Sequence, residues 1–388
     1  MQTALRPEPK PVPPVRAADA AAGARPRRRA AWPWALLAVL LAATALTVHV
    51  ARRQGGDVSG TYYVVEASYR ALPLHEAYPP GRLLFQSGPY DGAFFLALAN
   101  DPFLESYEGD TRFHRARRIL WPWAAYLLGA GQPEAILYTL PLLTLLAIGA
   151  GTLALARLLA ENGRHPAWAL LNALSLGAAV CLLRSVADAF AVNLVLVGAW
   201  AWQKERPKLA VALFALAGLA KEPTLLVPIA LFAALFARGE WRRGVKLAIP
   251  PAVVLAWWGI VFATSSNVHF GRSVGIPFAG LVRSIAQPLP ALPEGEWLAL
   301  ASMVLAVALV PLARRAEWDR WRTVAFAFAL LAALGYRGLW EEYWAYGRAF
   351  MAVPAFLLFL YAVHGRKSDL LGPIGSALSG AYVFWTWM

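Results

Sequence analysis

The chain has 388 residues, of which 59% are hydrophobic and 15% charged, and its formal net charge is +13. In a soluble protein this charge would indicate nucleic-acid binding, but here the apolar residues form runs of about 20, a length that suits the hydrocarbon core of a bilayer. The composition therefore indicates a membrane protein and excludes a separate soluble domain of any size. The single cysteine, Cys181, excludes an internal disulfide.

The first 30 residues are rich in Pro, Ala and Arg and predict a disordered cytoplasmic tail. A cleaved signal peptide is the alternative, and the long proline-rich leading segment disfavours it. The first apolar run covers about residues 31–50. Residues 51–133 are then too polar to cross a bilayer, so we expect them to form a large loop.

Ten more apolar runs follow this loop. They lie near residues 134–157, 167–182, 187–202, 208–219, 223–237, 246–264, 296–313, 322–335, 349–363 and 369–387. Basic clusters occupy alternate connections, and the positive-inside rule places those connections in the cytoplasm. The predicted fold is an all-α polytopic membrane protein with about eleven transmembrane helices. We expect the protein to lie in the cell inner (plasma) membrane with a cytoplasmic N-terminus. Its large first extracytoplasmic loop is expected to carry short amphipathic helices.

The connections predicted to face outward carry many ionisable residues close to hydrocarbon. They are Asp91, Asp101, Arg117, Arg118, Arg184, Asp188, Lys221, Glu222, Arg337, Glu341, Glu342 and Arg348. Such charges cost several kcal/mol unless they are paired or hydrated, so they predict a polar cavity that opens outward. Arginine offers a planar fork of donors that matches phosphate, which makes a lipid phosphate a natural ligand. In the alternative, Arg184 pairs with Asp188 and Lys221 with Glu222, and each local ion pair only stabilises the tight turn between two helices.

The most distinctive stretch of the loop is a turn followed by a short helix. Gly88-Pro89 breaks the chain, Asp91 is the predicted N-cap of a helix over 92–99, and Asp101-Pro102 ends that helix. A carboxylate fixed at a helix start beside a membrane suits a catalytic base. A plain N-cap and a metal ligand remain the alternatives. Tyr90 is placed to stack on a sugar ring, or to belong to an interfacial aromatic belt.

Several stretches, in this order, resemble a known superfamily. They are Tyr90-Asp91-Gly92-Ala93-Phe94-Phe95, Asn100-Asp101-Pro102-Phe103, Arg118-Ile119-Leu120-Trp121-Pro122, Leu219-Ala220-Lys221-Glu222-Pro223-Thr224, and Tyr346-Gly347-Arg348 through Pro354. Together they are similar to GT-C glycosyltransferases, and most closely to bacterial mannosyltransferase-like proteins. The likeness covers about residues 32–363. The chain departs from the pattern at Ala93, where a polar residue is common, and at Lys221, where Arg is usual.

The resemblance implies transfer of a sugar, with mannose as the example, from a polyprenyl-phosphate donor to a cell-envelope glycan, lipid or protein on the outer face. Asp91 matches the loop carboxylate that acts as catalytic base. Arg118, Lys221 and Arg348 match positions near the lipid phosphate. Residues 31–388 then form a transmembrane glycosyltransferase-like domain, with 51–133 as its catalytic loop.

The remaining candidates have more than one reading. Asp101 either contacts substrate or orients the loop. Glu222 either holds a sugar hydroxyl or neutralises Lys221. Asp188 either contacts substrate or partners Arg184, itself a candidate substrate contact.

We expect no required cofactor and no nucleic-acid partner. A divalent metal is not demanded, because His75, His114 and His269 are far apart and lack the spacing of metal ligands. The absence of a Gly-rich cradle in the cytoplasmic connections argues against a nucleotide-sugar donor.

Two rival functions fit the same composition. A transporter or lipid flippase would use the outward cavity as half of an alternating-access path, and it would require ionisable residues deep within the spans. A non-catalytic assembly subunit would keep the scaffold without the chemistry. The charges lie at the outer ends of the predicted spans, which favours an enzyme.

Overall fold

The computed structural model describes residues 30–103, 105, 112–265, 276–286, 294–312, 318–340 and 342–387. Within these ranges the regular elements are helices, and the described chain contains no β-strand. The predicted all-α class is therefore confirmed.

Short helices separate the long first helix from the next long one. In chain order they are α1 (Trp32–Arg53), α2 (Glu66–Ala71), α3 (Leu74–Ala77), α4 (Asp91–Asn100), α5 (Arg112–Ala116), α6 (Leu120–Leu128) and α7 (Pro133–Glu161). A 3-10 turn covers Val58–Tyr62 before α2.

The rest of the chain is a series of apolar helices with tight connections. These are α8 (Leu170–Ala173), α9 (Leu176–Leu183), α10 (Asp188–Gln203), α11 (Pro207–Ala220), α12 (Leu226–Phe236), α13 (Trp241–Gly244), α14 (Ile249–Thr264), α15 (Ala279–Ile285), α16 (Glu294–Leu309), α17 (Arg320–Ala333), α18 (Arg337–Trp340), α19 (Tyr343–Ala349), α20 (Ala352–His364) and α21 (Leu371–Trp387). Further 3-10 turns lie at Pro166–Ala169, Glu222–Leu225, Val245–Ala248 and Lys367–Leu370.

Several of these helices are long and apolar enough to cross a membrane. In the described chain three qualify alone, namely Trp32–Arg53, Pro133–Glu161 and Trp241–Thr264, and two bent pairs raise the number to five if each pair is one span. The other long apolar helices are shorter. For example, α11 has 14 residues, and at 1.5 Å per residue it extends only about 21 Å. The coarse prediction of a membrane protein therefore stands, while the count of eleven spans goes beyond these lengths.

The loop predicted over 51–133 folds against the helical body. Its helix α2 is amphipathic, with Tyr69 buried and the charged Glu66 and Arg70 exposed. In contrast, α4 is buried on most of its surface, because its apolar residues pack against α6 and α7. The expectation of amphipathic short helices is therefore correct for α2 and wrong for α4, which belongs to the core.

The two bent pairs pack on each other where they break. The helices of residues 166–183 bend by 45° and those of residues 343–364 by 43°. Gly177 and Gly347 lie in this contact, and a Cβ on Gly347 would come within 2.8 Å of Leu176. The missing side chains let the backbones approach, so the ends of α9 and α19, which carry Arg184 and Arg348, face the same region as α4.

Candidate functional site

Asp91 begins α4, and its carboxylate is held by two arginines. Tyr90, in an extended conformation, is the N-cap residue, so the expected N-cap role of Asp91 is wrong by one position. Arg115 Nη1 lies 2.7 Å from Asp91 Oδ1, and Arg348 Nη2 donates to Asp91 Oδ2 at 2.7 Å. The Asp91 side chain is 15% exposed. Because the two guanidinium groups engage both of its oxygens, the carboxylate is positioned by ion pairs rather than by capping its own helix.

The glycine after Asp91 explains why this turn can reach the ion pairs. A Cβ on Gly92 would lie 2.8 Å from the carbonyl oxygens of both Tyr62 and Arg184. Real side chains do not approach backbone atoms so closely, and only glycine lets the start of α4 pack between these two segments. The glycine of the Tyr-Asp-Gly sequence is therefore required by packing.

Lys221 pairs with Asp188 and not with its neighbour Glu222. Lys221 Nζ lies 2.9 Å from Asp188 Oδ1, and Arg348 Nη1 lies 3.6 Å from Asp188 Oδ2. The local Lys221–Glu222 pair that sequence allowed as an alternative is therefore wrong. Asp188 is shared by two cations that are distant in sequence, which links α10, the turn after α11, and α19.

Glu222 is bound by arginines from the loop. Arg118 donates from Nε to Glu222 Oε2 at 2.8 Å and from Nη2 to Oε1 at 2.7 Å, which is the bidentate geometry of a strong pair. Arg117 Nη2 lies 3.6 Å from the same carboxylate. Of the two sequence readings for Glu222, neutralisation of a cation is the one seen, but the cation is Arg118.

Arg184 lies in an aromatic cage beside this cluster. Its guanidinium carbon is 4.4 to 4.5 Å from the ring centres of Tyr63, Tyr90 and Trp344. The Tyr90 ring also contacts the guanidinium of Arg348, at 4.9 Å. Cation–π contacts of this kind are worth about 0.5 to 2 kcal/mol each. Both predicted residues, Tyr90 and Arg184, therefore flank the ion pairs, and their rings and charge support the start of α4.

The clustered charges line part of a cavity of about 880 Å³, and this part is called its cationic end below. Its polar lining consists of Asp91, His114, Arg115, Arg117, Arg118, Lys221, Glu222 and Arg348. Its apolar lining consists of Leu225, Leu226, Ile229, Trp258, Leu331, Leu339 and Phe350, together with Pro223, Tyr336 and Ala349. The lining therefore combines charged and apolar side chains, a combination that suits an amphiphilic ligand.

The pKa values of Asp91 and His114, at the cationic end of the cavity, follow from the charges and burial around them. Burial alone would raise the pKa of the Asp91 carboxyl, but Arg348 and Arg115 outweigh burial and hold that pKa well below its ordinary value. Burial, together with the positive charge of Arg118 and Arg115, lowers the pKa of the His114 imidazole to about 3. At neutral pH the carboxylate is therefore charged and the imidazole neutral.

Arg115 and His114 are members of the site that sequence reasoning missed. Arg117 Nη2 lies 2.9 Å from His114 Nδ1, and because arginine can only donate, the imidazole nitrogen accepts. The neutral imidazole therefore carries its proton on Nε2. The run of basic residues at 115, 117 and 118 could have indicated Arg115. Its position in a loop gave no reason to expect a contact with Asp91.

Other predicted residues lie elsewhere. Asp101 is buried but does not line the cavity, and its Oδ1 accepts a hydrogen bond from the Glu105 backbone at 2.7 Å. This contact fits the loop-orienting reading. His269, Glu341 and the side chain of Arg337 lie outside the described residues. Within the described part of the chain, no group of three His, Cys, Asp or Glu side chains is arranged to hold a metal ion.

No protein-family model matches this chain, and no curated protein matches it significantly.

Proposed function

We propose that the protein is an integral-membrane glycosyltransferase of the GT-C type. It transfers a sugar from a polyprenyl-phosphate donor to a cell-envelope acceptor at the outer face, and mannose is the sugar that the resemblance suggests. The cavity between α4, α12, α17 and α19 is the proposed donor site. Asp91 is the proposed base.

The observation that carries this proposal is that one cavity is lined both by a cluster of charged side chains and by apolar side chains. An isoprenyl phosphate likewise combines an anionic head with a hydrocarbon tail. Arg118, Lys221 and Arg348, which the resemblance relates to the lipid phosphate, all line the cationic end. Asp91 lines it as well, so a sugar joined to the phosphate would lie near the carboxylate.

The proposed reaction is a direct displacement. The oxygen of the acceptor hydroxyl attacks the anomeric carbon, the bond from that carbon to the phosphate oxygen breaks, and its electron pair leaves with the polyprenyl phosphate. The hydroxyl proton goes to Asp91, a contribution of roughly 10²- to 10⁴-fold. The arginines stabilise the negative charge that grows on the leaving phosphate. Inversion at the anomeric carbon requires no carboxylate nucleophile of the kind that retaining enzymes use.

The ion pairs of Asp91 with two arginines affect how readily its carboxylate accepts a proton. While Arg115 and Arg348 hold the carboxylate, its depressed pKa makes it a weak proton acceptor. The phosphate of a bound donor competes for the same guanidinium groups, so it loosens their hold on the carboxylate. In the proposed mechanism, donor binding therefore makes Asp91 more basic at the step that needs it.

The proposal includes eleven spans and an outward-facing loop over 51–133. Cysteine labelling tests the orientation, because the native Cys181 is buried and gives little background. Arg70→Cys, at an exposed position in the loop, should react with an impermeant maleimide from outside. Arg238→Cys, exposed in a predicted cytoplasmic connection, should not. The reverse pattern would reject the orientation and with it the proposed site.

The catalytic test compares lipid-linked sugars in cells that express the wild type or Asp91→Asn. We expect the variant to lose transfer by about 10²-fold or more, because amide cannot take the proton, while still binding isoprenyl phosphate. Glu66→Gln, in the same loop but on the exposed face of α2, is the matched control and should retain transfer. Undiminished transfer by Asp91→Asn would reject the assignment of the base.

One observation favours a lipid flippase as the second candidate. The two bent helix pairs meet at their breaks and carry Arg184 and Arg348, and broken helices are typical of transporter binding sites. A flippase should move a fluorescent isoprenyl phosphate between leaflets of proteoliposomes. If the protein is a flippase, Asp91→Asn should leave the amount of transferred sugar unchanged. If it is a glycosyltransferase, the same variant should lose transfer.

A further inference from the structure

A second pocket lies at the other end of two helices that build the candidate site. The helix α10 runs from Asp188, which belongs to the charged cluster, to Gln203, and at 1.5 Å per residue its 16 residues extend about 24 Å. The helix α11 returns over Pro207–Ala220 to Lys221. The second pocket, of about 160 Å³, is lined by Trp202, Glu205, Pro207, Arg242, Arg243 and Lys246. It is therefore separated from the candidate site by the length of a helix.

Among the described residues, three cations line this pocket and two of them lack a carboxylate partner. Arg243 is neutralised, because its Nη2 lies 2.6 Å from Glu205 Oε1 and its Nη1 lies 3.6 Å from Glu240 Oε2. Arg242 and Lys246 make no ion pair with any residue that the structure describes, and both side chains are exposed. The pocket therefore offers two positive charges to an anion.

An exposed apolar surface lies beside these cations on the same helical turns. Trp241, Val245 and Ile249 follow one another at intervals of four residues, which places them along one side of the chain, and they are 50%, 51% and 49% exposed. They begin the helical segment Trp241–Thr264, which is long and apolar enough to cross a membrane, and only 22% of its apolar stretch is buried in the protein. The first turns of this segment therefore carry basic side chains next to a surface that suits hydrocarbon.

This combination of charge and apolar surface is the one that recognises an anionic phospholipid. Basic pockets between membrane helices bind acidic headgroups, and long basic side chains near helix ends extend to the level of the headgroups. Basic connections also set the orientation of a membrane protein, but that role requires charge alone and no pocket. Arg206 and Lys208, which are exposed at the same end of the helices and do not line the pocket, fit this simpler role.

We propose that this second pocket binds the headgroup of an anionic phospholipid, with the phosphate between Arg242 and Lys246 and an acyl chain along Val245 and Ile249. The lipid joins the turn between α10 and α11 to the first turns of the segment that contains α14. In the orientation proposed above, this end lies at the cytoplasmic leaflet, whose anionic lipids create a negative surface potential. This binding requires no glycosyltransferase activity, since it uses only the charges and the apolar surface at this end.

The test compares two phospholipids with the same dioleoyl chains: phosphatidylglycerol, with one negative charge, and phosphatidylcholine, with no net charge. Native mass spectrometry of the purified full-length protein in neutral detergent measures the affinity for each lipid. Because each basic side chain near an anionic headgroup contributes about fivefold in affinity, we expect phosphatidylglycerol to bind roughly 25-fold more tightly than phosphatidylcholine. Equal affinities would overturn the proposal.

Matched double variants locate the bound lipid. Arg242→Gln with Lys246→Gln removes both unpaired cations of the pocket and should lower the affinity for phosphatidylglycerol by roughly 25-fold, with little effect on phosphatidylcholine. Arg206→Gln with Lys208→Gln removes the same charge from the same end of the helices and should leave both affinities nearly unchanged. All four side chains are exposed, so both variants should fold, and their unfolding midpoints without added lipid verify this. Equal losses of affinity in the two double variants would mean that diffuse charge attracts the lipid, and would overturn the assignment to the pocket.

A soluble headgroup distinguishes a lipid site from a site for a free anion. Glycerol 3-phosphate carries the phosphate without acyl chains, so it should bind far more weakly than phosphatidylglycerol, because nothing then covers Val245 and Ile249. Weak binding of glycerol 3-phosphate supports the lipid as the occupant. Binding as tight as that of phosphatidylglycerol would overturn this assignment.

Discussion

Two sets of buried charges lie at opposite ends of α17 and α20, and only one of them borders a cavity. Arg322 and Asp369 form a fully buried pair, with three contacts of 3.0 to 3.1 Å and exposures of only 0% and 2%. The other set joins Arg115, Arg118, Lys221 and Arg348 to Asp91, Asp188 and Glu222 beside open space. The fully buried pair fixes the packing of its helices, whereas charges that line a cavity are within reach of a ligand.

The largest effect on stability should come from removing one member of the fully buried Arg322–Asp369 pair. Asp369→Ala leaves the Arg322 guanidinium buried without its carboxylate, which should cost about 3 to 5 kcal/mol. The thermal unfolding midpoint in detergent measures this loss. The double variant Arg322→Met with Asp369→Leu should regain most of the stability, because two apolar groups need no partner.

Asp91→Ala is the matched change at the cavity, and it sharpens the comparison. Arg115 and Arg348 face open space there and can be hydrated, so we expect a smaller loss than for Asp369→Ala. Equal losses in the two variants would remove the distinction between a structural pair and a ligand site.

A smaller effect should follow from crowding the start of α4. In Gly92→Ala the new Cβ meets the carbonyl oxygens of Tyr62 and Arg184 at 2.8 Å, so the backbone must shift, at a cost of about 1 to 3 kcal/mol. The shift should also reduce sugar transfer by moving Asp91. Gly88→Ala is the control from the same stretch, because a Cβ there meets nothing within 4 Å. If Gly88→Ala were as harmful as Gly92→Ala, close packing would not explain the Tyr-Asp-Gly turn.

The smallest effect concerns pH and His114. The folded protein holds the pKa of this imidazole at about 3, against an ordinary value of 6.5. Between these values the unfolded chain binds a proton that the folded protein does not, so stability falls as the pH falls below about 6.5. From pH 7.5 to 5.0 we expect His114 to contribute a loss of about 1 to 2 kcal/mol after allowance for solvent screening. His114→Gln should reduce the pH dependence of the unfolding midpoint. An unchanged dependence would contradict the burial of a neutral imidazole among arginines.

The sequence predicts the positions of the helices well, because an apolar run in a membrane protein leaves little choice of secondary structure. The run at 134–157 corresponds to α7 at Pro133–Glu161, and the run at 187–202 to α10 at Asp188–Gln203. The runs do not decide how many helices cross the membrane. Helices such as α11 are shorter than a bilayer, and pairs such as α19 and α20 are bent at their junction.

The sequence also predicts which charges gather, but not how they pair. Asp91, Arg118, Lys221, Glu222 and Arg348 do line one cavity. Their partners could not be foreseen, because neighbours in sequence point in different directions at a helix end. The turn after α11 sends Lys221 to Asp188 and Glu222 to Arg118. Arg115 went unnoticed because a short loop helix, without apolar periodicity, brings it to Asp91.

The central claim is that the cationic end of this cavity binds an isoprenyl phosphate beside Asp91. Electron cryomicroscopy of the full-length protein with geranylgeranyl phosphate tests it most directly. The account predicts density for the phosphate within hydrogen-bonding distance of Arg115 and Arg348, with the tail along Leu226, Ile229 and Leu331. Phosphate density at another place in the protein, with both arginines still closed on Asp91, would contradict it.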